Sequence, residues 1–317
     1  YYYWLYNKKE LIEAYDKELS VIPIKDLNLT GFNMPEHRTK KINEFLEKHE
    51  KRLNELIKFI KVNGVTCSKD FDKKEKVNDY WGTRTWSNLA LDFLWKTGKL
   101  SIDYRKNNRK YYDLMEEVYK EKFPAKKELT VELVLRRLDS IGLLPASGTG
   151  YGWLGIGKGA EIKPIIRKLV KEKVLTKIQL NQKTCLVGKT SDLKEFEKLK
   201  TIKTENKMSF LSPLDNLLWD RKMVKEIFGF EYKWEAYTPI HKRTFGHYVL
   251  PVLCGTKFIG RIEPKHNKKE NVLEIKGFWL EKNVEWNNEL EKALKDNLKC
   301  FQEYLQAKTI TWNCKKP

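Results

Sequence analysis

The stretch TWSNLALDFLWKTGKLSIDYRKNNRKYYDL, residues 85–114, changes its hydrophobic period part-way along. From a start at Thr83 or Thr85, the residues Trp86, Leu89, Ala90, Phe93 and Leu94 fall on one face of a helix, which Gly98 ends. Beyond the glycine the period drops to two, and Leu100, Ile102 and Tyr104 point the same way. The polar run Arg105-Lys106-Asn107-Asn108-Arg109-Lys110 then turns the chain back into Tyr111-Tyr112-Asp113-Leu114, which is a hairpin signal. Upstream, Ile42, Phe45, Leu46, His49, Leu53, Leu56, Ile57 and Ile60 recur at helical spacing from Thr39 until Asn63-Gly64 stops them. Between the two helices, residues 65–71 read as a short capped helical turn. Helix, short helix, helix, hairpin is the order of a winged helix-turn-helix unit.

The order recurs downstream without a residue-level repeat. Thr130 caps a helix with Val131, Val134, Leu135, Leu138 and Ile141 inward, closed by Gly142. A second helix carries Ile162, Ile165, Ile166, Leu169 and Val170, with Pro164 expected in its first turn, where a missing N–H costs nothing. Residues 174–180 and 184–187, joined by Asn181-Gln182-Lys183, make a second hairpin. After a lysine-rich connector, residues 230–236, 247–253, 257–263 and 272–280 read as strands of an antiparallel meander or half-barrel. Leu290, Ala293, Leu294, Leu298, Phe301 and Leu305 then mark a last helix, and residues 309–312 a final strand.

Composition narrows the partner. Lys and Arg number 62 against 43 Asp and Glu, a formal net charge of +19. On a chain that is 41% hydrophobic and 12% aromatic, this excess points first to a polyanion, most simply nucleic acid; the plainer alternative is a surface solubilised by lysine. No apolar run approaches the ~20 residues a bilayer needs. Cys67, Cys185, Cys254, Cys300 and Cys314 form no C-x-x-C pair, and the five histidines have no metal-ligand spacing. Neither a metal nor another cofactor is expected, and a reducing cytoplasm is the natural compartment.

Several constellations carry candidate chemistry. Arg105, Lys106, Arg109 and Lys110 crowd one hairpin turn, where cations reach a phosphate backbone by charge rather than by reading bases. The preceding helix carries Arg84, Ser87, Asn88 and Lys96 on its polar side; phosphate contact and plain solvated surface both fit them. Gly150, Gly152 and Gly155 satisfy G-x-G-x-x-G, followed by Lys158. The βαβ context of a dinucleotide site is missing, so a loop whose amides meet a phosphate, or a plain loop, is the better reading. In Leu211–Arg221, Asp215, Trp219, Asp220 and Arg221 read as structural, with Asp220 paired to Arg221 at the entry to the barrel. Further on, Lys242, Arg243 and His247 interleave with aromatics, a pattern that holds phosphate and supports an unstacked base.

The run SPLDNLLWDRKMVKEIFGFEYKWEAYTPIHKRTFGHYVLPVLCGTKFIGRIEPKHNKKENVLEIKGFWLE resembles the winged-helix DNA glycosylases of the YcaQ/AlkX and AlkZ type, the crosslink-repair DNA glycosylases. It is similar to their S-P-x-D-x-x-x-W-D-R, F-G-F-x-Y, Y-x-P-x-x-K-R-x-x-G and Y-V-L-P-V-L motifs, followed by G-R. Upstream, AYDKELSVIPIKD (residues 14–26) is similar to the family's E-Y-W-x-x-E-x-x-x-x-P-I-E-D. The resemblance implies tandem winged helices and a C-terminal barrel around a DNA channel. It also implies hydrolysis of the N-glycosidic bond of N7-alkylguanines and some interstrand crosslinks. A cationic N7-alkylguanine leaves with little acid help, so the enzyme must supply a positioned water and negative charge beside the oxocarbenium-like sugar.

The family places a Gln-x-Asp or Gln-x-Gln motif for this step ahead of the E-Y-W segment, which here corresponds to a position upstream of residue 1. Truncation and a natural variant lacking the motif are the two explanations. Asp16 and Glu18 are the acidic residues nearest to that site in a matching motif, and surface carboxylates capping a turn fit them equally. The expected architecture is α+β: tandem winged helix-turn-helix units followed by a small antiparallel β-barrel-like domain with a C-terminal helix. Its segments are 1–38, a remnant of an incomplete first winged-helix unit; 39–124 and 125–200, two winged-helix units; and 201–317, the barrel-like domain. The expected partner is damaged double-stranded DNA, bound by a monomer away from membranes. The alternative is a non-catalytic winged-helix DNA-binding protein, either a regulator or an inactive homologue.

Overall fold

The computed structural model describes residues 2–32, 36–71, 75–79, 82–120, 123, 129–199 and 206–317. The chain divides into two compact units, Tyr1–Arg137 with Trp153–Ile165, and Leu138–Gly152 with Ile166–Pro317.

The first unit opens with a hairpin, β1 (Leu11–Tyr15) and β2 (Leu19–Pro23), and a short α1 (Leu27–Thr30). Two helices follow, α2 (Glu36–Lys48) and α3 (Glu50–Asn63), where the periodicity predicts one. The break falls at His49, whose backbone sits at φ −115°, ψ 20° and whose ring packs on Phe45 and Trp86. Its amide still bonds to Phe45 and its carbonyl to Leu53, so the apolar stripe runs on unbroken. Asn63-Gly64 ends α3 as expected, with Gly64 at φ +73°.

Residues 65–71 are not helical. Thr66 exchanges two 2.8 Å backbone bonds with Tyr112, which commits it to a sheet bridge, and Cys67–Asp70 is a turn. A hairpin absent from the sequence reading comes next, β3 (Lys76–Asp79) and β4 (Gly82–Thr85). Helix α4 (Trp86–Lys96) starts on Thr85, whose hydroxyl accepts from the Asn88 amide. Strands β5 (Leu100–Lys106) and β6 (Arg109–Leu114) form the predicted hairpin, and α5 (Met115–Tyr119) follows. Leu53, Leu56 and Ile60 of α3 meet Trp86, Leu91, Leu94 and Trp95 of α4 and Leu100, Ile102 and Tyr112 of the hairpin in one core. Burying side chains of this size contributes about 1.5–3 kcal/mol each.

Helix α6 (Val131–Ile141) is capped by Thr130, as predicted. Its inward face is shifted: Leu133, Val134, Arg137 and Leu138 are buried, while Val131 and Ile141 are half-buried. The short strand β7 (Leu144–Pro145) precedes α7 (Gly159–Lys171), which starts earlier than expected. Pro164 therefore lies in the second turn. It is exposed, as is Ala160, so the carbonyl the proline cannot engage is on the solvent side. Strands β8 (Leu175–Gln179) and β9 (Cys185–Lys189) make the second hairpin, β7 joins it beside β9, and α8 (Thr190–Leu199) follows.

The second unit continues with β10 (Met208–Phe210), α9 (Arg221–Phe228), β11 (Leu250–Cys254), β12 (Lys257–Asn267), β13 (Val272–Leu280), α10 (Asn288–Leu305) and β14 (Thr309–Trp312). The five strands form one sheet in chain order. It is not wholly antiparallel, because β14 returns after α10 to lie parallel to β13. Leu294 and Leu298 of α10 cover Val252, Ile262, Leu273 and Ile275. Residues 230–236 pair with no strand, and the segment enters a turn at Ala236. Phe230 and Tyr232 are buried and Glu231 and Lys233 exposed, giving the alternation of a strand without its ladder. Side chains tie the segment down instead: Arg261 donates to the Glu231 carbonyl, and the Tyr232 hydroxyl donates to the Val249 carbonyl at 2.8 Å.

Candidate nucleic-acid interface

The β5–β6 turn is Asn107-Asn108, both at positive φ (50° and 61°), the geometry of a two-residue I′ hairpin. Arg105 is paired across the strands with Lys110, and Lys106 with Arg109. Successive strand residues face opposite ways, so the four clustered cations divide into two pairs. Arg105 forms a forked pair with Glu13 of β1, its Nε 2.8 Å from Oε1. The Tyr6 hydroxyl donates to the same oxygen at 2.6 Å. Lys110 reaches Asp92 of α4 at 3.0 Å and lies 3.9 Å from the centre of the Trp95 ring. Asp92 also receives Lys96 at 2.8 Å and Arg84 at 3.5 Å, and Arg84 donates to the Asn88 side chain.

Glu13 and Asp92 are both buried. Burial pushes each carboxyl upward, but the neighbouring cations outweigh it and hold both below the usual carboxylate range. Arg105 and Tyr6 act through hydrogen bonds on Glu13, and Lys110 and Lys96 through charge and hydrogen bonds on Asp92. Arg84, Arg105 and Lys110 are thus drawn inward by carboxylates. Ser87 is fully buried rather than on a polar face, its hydroxyl donating to the Ser68 carbonyl. Lys106 and Arg109 remain on the outer face and exposed, beside a Tyr104–Tyr111 stack with centroids 4.5 Å apart.

Asp16 is buried at the β1–β2 turn, and both carboxylate oxygens are taken by arginines, Arg136 at 2.8 Å and Arg137 at 2.6 Å. Arg136 also bonds Asp26 at 2.8 Å. Glu18 is exposed at the turn, its carbonyl accepting from the Asp16 amide. Gly155, at φ +91°, passes so close to this turn that a Cβ would sit 2.7 Å from the Asp16 carbonyl oxygen.

One amide of the glycine loop is occupied from within the protein. Gly152 N–H donates to Asp220 at 3.3 Å, so this amide meets a carboxylate of the protein itself. Lys158 is exposed, with its amide held by Glu161 at 2.7 Å. Asp220 does not pair with Arg221 as expected. It caps α9 through the Met223 amide, and Arg221 lies over the Tyr232 ring instead. Asp215 caps the next turn upstream through the Leu217 amide, and Trp219 is half-buried between these caps.

Lys242, Arg243 and His247 lie in the loop before β11. Buried Glu235 accepts from the amides of Thr244 (2.9 and 3.0 Å), Phe245 (2.8 Å) and Gly246 (3.3 Å). Burial would raise this carboxyl, but the three amides and the charge of Lys233 bring it below its ordinary value. Glu263 of β12 takes the next two amides, His247 at 2.7 Å and Tyr248 at 3.2 Å. Arg261 lies between the rings of Phe230 and Phe245, 4.4 and 4.6 Å from their centres. Arg243 donates through Nε to the Thr238 carbonyl at 2.8 Å, while Lys242 and His247 are exposed.

Sequence reasoning missed the anions that organise these segments: Glu13 and Asp92 behind cations, Glu235 and Glu263 behind backbone amides. Strand parity could have exposed the inward pair at Arg105 and Lys110. Nothing local marks Glu13 as the partner of a residue so far along the chain. Among the described residues, no group of three His, Cys, Asp or Glu is placed to hold a metal ion, and no helix is long and apolar enough to cross a membrane.

Streptomyces sahachiroi DNA glycosylase AlkZ has a similar fold, with a TM-score of 0.56 at 14% identity over 96% of this chain and 82% of that one. The α+β architecture, with its five-stranded sheet and C-terminal helix, matches that fold. Residues 3–304 match the family model described as DNA glycosylase AlkZ-like, and the chain belongs to that family.

Proposed function

We propose that the protein repairs DNA by hydrolysing the N-glycosidic bond of alkylated bases (N7-alkylguanines) or crosslinked bases in duplex DNA. Membership of a DNA glycosylase family across residues 3–304 carries this reading. The element orders α2–β6 and α6–β9 are read as two winged-helix units (39–124 and 125–200), with 201–317 the barrel-like domain. Lys106 and Arg109 on the outer face of the β5–β6 hairpin, with Lys242, Arg243 and His247, contact phosphates of a duplex bound by a monomer. Arg84, Arg105 and Lys110 act one step back, by holding the hairpin in place. Lys158 is a further phosphate contact ahead of α7.

An N7-alkylated guanine is already a cationic leaving group, so the protein's task is to place water and negative charge by the sugar. Asp16 is committed to two arginines and serves this reading as a scaffold for its turn; Glu18 is the exposed carboxylate there. The protein is incubated with N7-methylguanine duplex, and strands are cleaved in alkali. Released base and alkali-labile strands are expected; intact strands overturn the reading. One observation favours a non-catalytic DNA-binding protein: Asp16, the buried acidic residue of the matching motif, has both carboxylate oxygens taken by arginines. That reading expects salt-sensitive duplex binding without base release.

A further inference from the structure

The loop from Tyr237 to Tyr248 is ordered to a degree its position does not explain. Five consecutive amides, Thr244 to Tyr248, are held by Glu235 and Glu263. Phe245 is pinned between Arg261 and Trp279, and Thr238 is tied to Arg243. What this framework displays is apolar. Ile240 is 80% exposed and Tyr237 77%, with Pro239 exposed between them. Behind them, Tyr237 and Tyr248 both pack edge-on against Trp234. Lys233, His241, Lys242 and His247 lie along this segment and are exposed, while the carboxylates of Glu235 and Glu263 are turned onto backbone amides. The outward charge is therefore positive around a rigid apolar point.

A short apolar projection ringed by cations suits a polyanion whose interior is apolar, which is the stacked core of a nucleic-acid duplex. Prolines and branched aliphatic side chains are the usual wedges between base steps, and the cations beside them hold the flanking phosphates. We propose that Pro239-Ile240, backed by Tyr237, is a wedge that enters a distorted base stack, with Lys242 and His241 on the adjacent phosphates. Glu235 and Glu263 are positioning residues that keep the wedge in shape before DNA arrives. The inference rests on the reading of the protein as one that works on duplex DNA.

The test uses two duplexes carrying 2-aminopurine, one intact and one with a tetrahydrofuran abasic analogue beside the probe. The native protein is expected to raise 2-aminopurine emission about twofold or more on binding, as unstacking requires. Both Ile240→Ala and the double variant Tyr237→Ala/Ile240→Ala alter exposed side chains and leave the folded sheet intact. At saturating protein they should abolish most of that rise and reduce preference for the abasic duplex about tenfold, the scale of one lost stacking contact. Lys242→Ala should weaken both duplexes together and leave the emission at saturation unchanged. Emission at saturation that is the same in the double variant and the native protein overturns the proposal, as does binding by the native protein with no rise at all. Base release is followed in parallel. A native protein that unstacks the probe but releases no base sinks the glycosylase reading and keeps the wedge; base release with emission insensitive to Ile240 does the reverse.

Discussion

Replacing Glu235 by Gln isolates the force that holds the Tyr237–Tyr248 loop. In the native protein Oε2 accepts from Thr244, Phe245 and Gly246 at 3.0, 2.8 and 3.3 Å, and Oε1 accepts from Thr244 at 2.9 Å. Glutamine offers one acceptor oxygen. Set at the Oε2 position, it keeps the same amides as neutral bonds and turns an NH2 donor toward the Thr244 N–H. A charged acceptor contributes about 1.5–3 kcal/mol per bond and a neutral one about 1, so the loop should lose roughly 2–3 kcal/mol. Hydrogen exchange resolves this by position. The amides of Thr244, Phe245 and Gly246 should exchange roughly 30- to 150-fold faster, since each ~1.4 kcal/mol is a factor of ten. Amides in β11 and β12 should not change. The pH dependence gives a second reading. The folded carboxyl lies below its ordinary value, so loop protection is fully present above about pH 4.3 and is lost as pH falls through the depressed value. The Gln variant has no such acid step. Exchange at the three amides within about threefold of native would refute the claim that the carboxylate orders the loop.

On the β5–β6 hairpin, Lys106→Ala with Arg109→Ala should lower the slope of log K against log salt by about 2 in duplex binding and leave thermal stability unchanged. Asp92→Asn should do the opposite. Removing one partner of a buried ion pair costs about 3–5 kcal/mol, reduced here to roughly 2–3 because Arg84, Lys96 and Lys110 keep partial solvent contact; denaturant unfolding measures it. Glu13 and Asp92 are both depressed, so they stabilise the first unit above the unfolded carboxylate values near pH 4 and cease to do so as pH falls through their folded ones; an acid titration followed by tryptophan fluorescence should lose this step in the double variant Glu13→Gln/Asp92→Asn. Gly155→Ala places a side chain at φ +91° and 2.7 Å from the Asp16 carbonyl oxygen, and should destabilise the first unit by about 1–3 kcal/mol in chemical denaturation.

Local periodicity exposed most of the secondary structure, because its cause is local. Trp86, Leu89 and Phe93 repeat at helical spacing and do lie on a buried helix face, and Asn107-Asn108 needs no more than its own φ angles to make a turn. The failures share a different cause. Residues 65–71 look helical until the backbone of Thr66 is claimed by Tyr112, and residues 230–236 alternate like a strand although no neighbouring strand pairs with them. Ser87 reads as surface and is buried, because Ser68 satisfies its hydroxyl. Arg137, on the same helix as the predicted apolar face, is fully buried, because Asp16 lies beside it in the fold. Polar residues change role when a distant partner arrives, and a helical wheel carries no information about such partners.

The same limitation governs the charge. An excess of +19 on this chain does not mean that every clustered cation faces a ligand. Arg105 and Lys110 are spent on Glu13 and Asp92, and that pairing turns Lys106 and Arg109 outward by strand parity. In the second unit, Glu235 and Glu263 bind amides rather than cations, with the same outcome: the acidic groups face inward and the basic ones outward. Fixing the backbone of the five residues from Thr244 to Tyr248 costs roughly 5–10 kcal/mol at about 1–2 per residue, and five amide–carboxylate bonds at about 1.5–3 each offset it. The ordering is completed during folding, before any ligand arrives. On the proposed reading, binding would then lose little conformational entropy at this loop, and any affinity contributed by Lys242 and His247 would not be diminished by it. Neutralising a buried carboxylate should therefore weaken DNA binding even though it makes the protein more positive, whereas general electrostatic attraction alone would strengthen it. Affinity at low salt for Glu235→Gln against the native protein separates the two: tighter binding by the variant would mean that net charge, not the held shape of the loop, governs recognition.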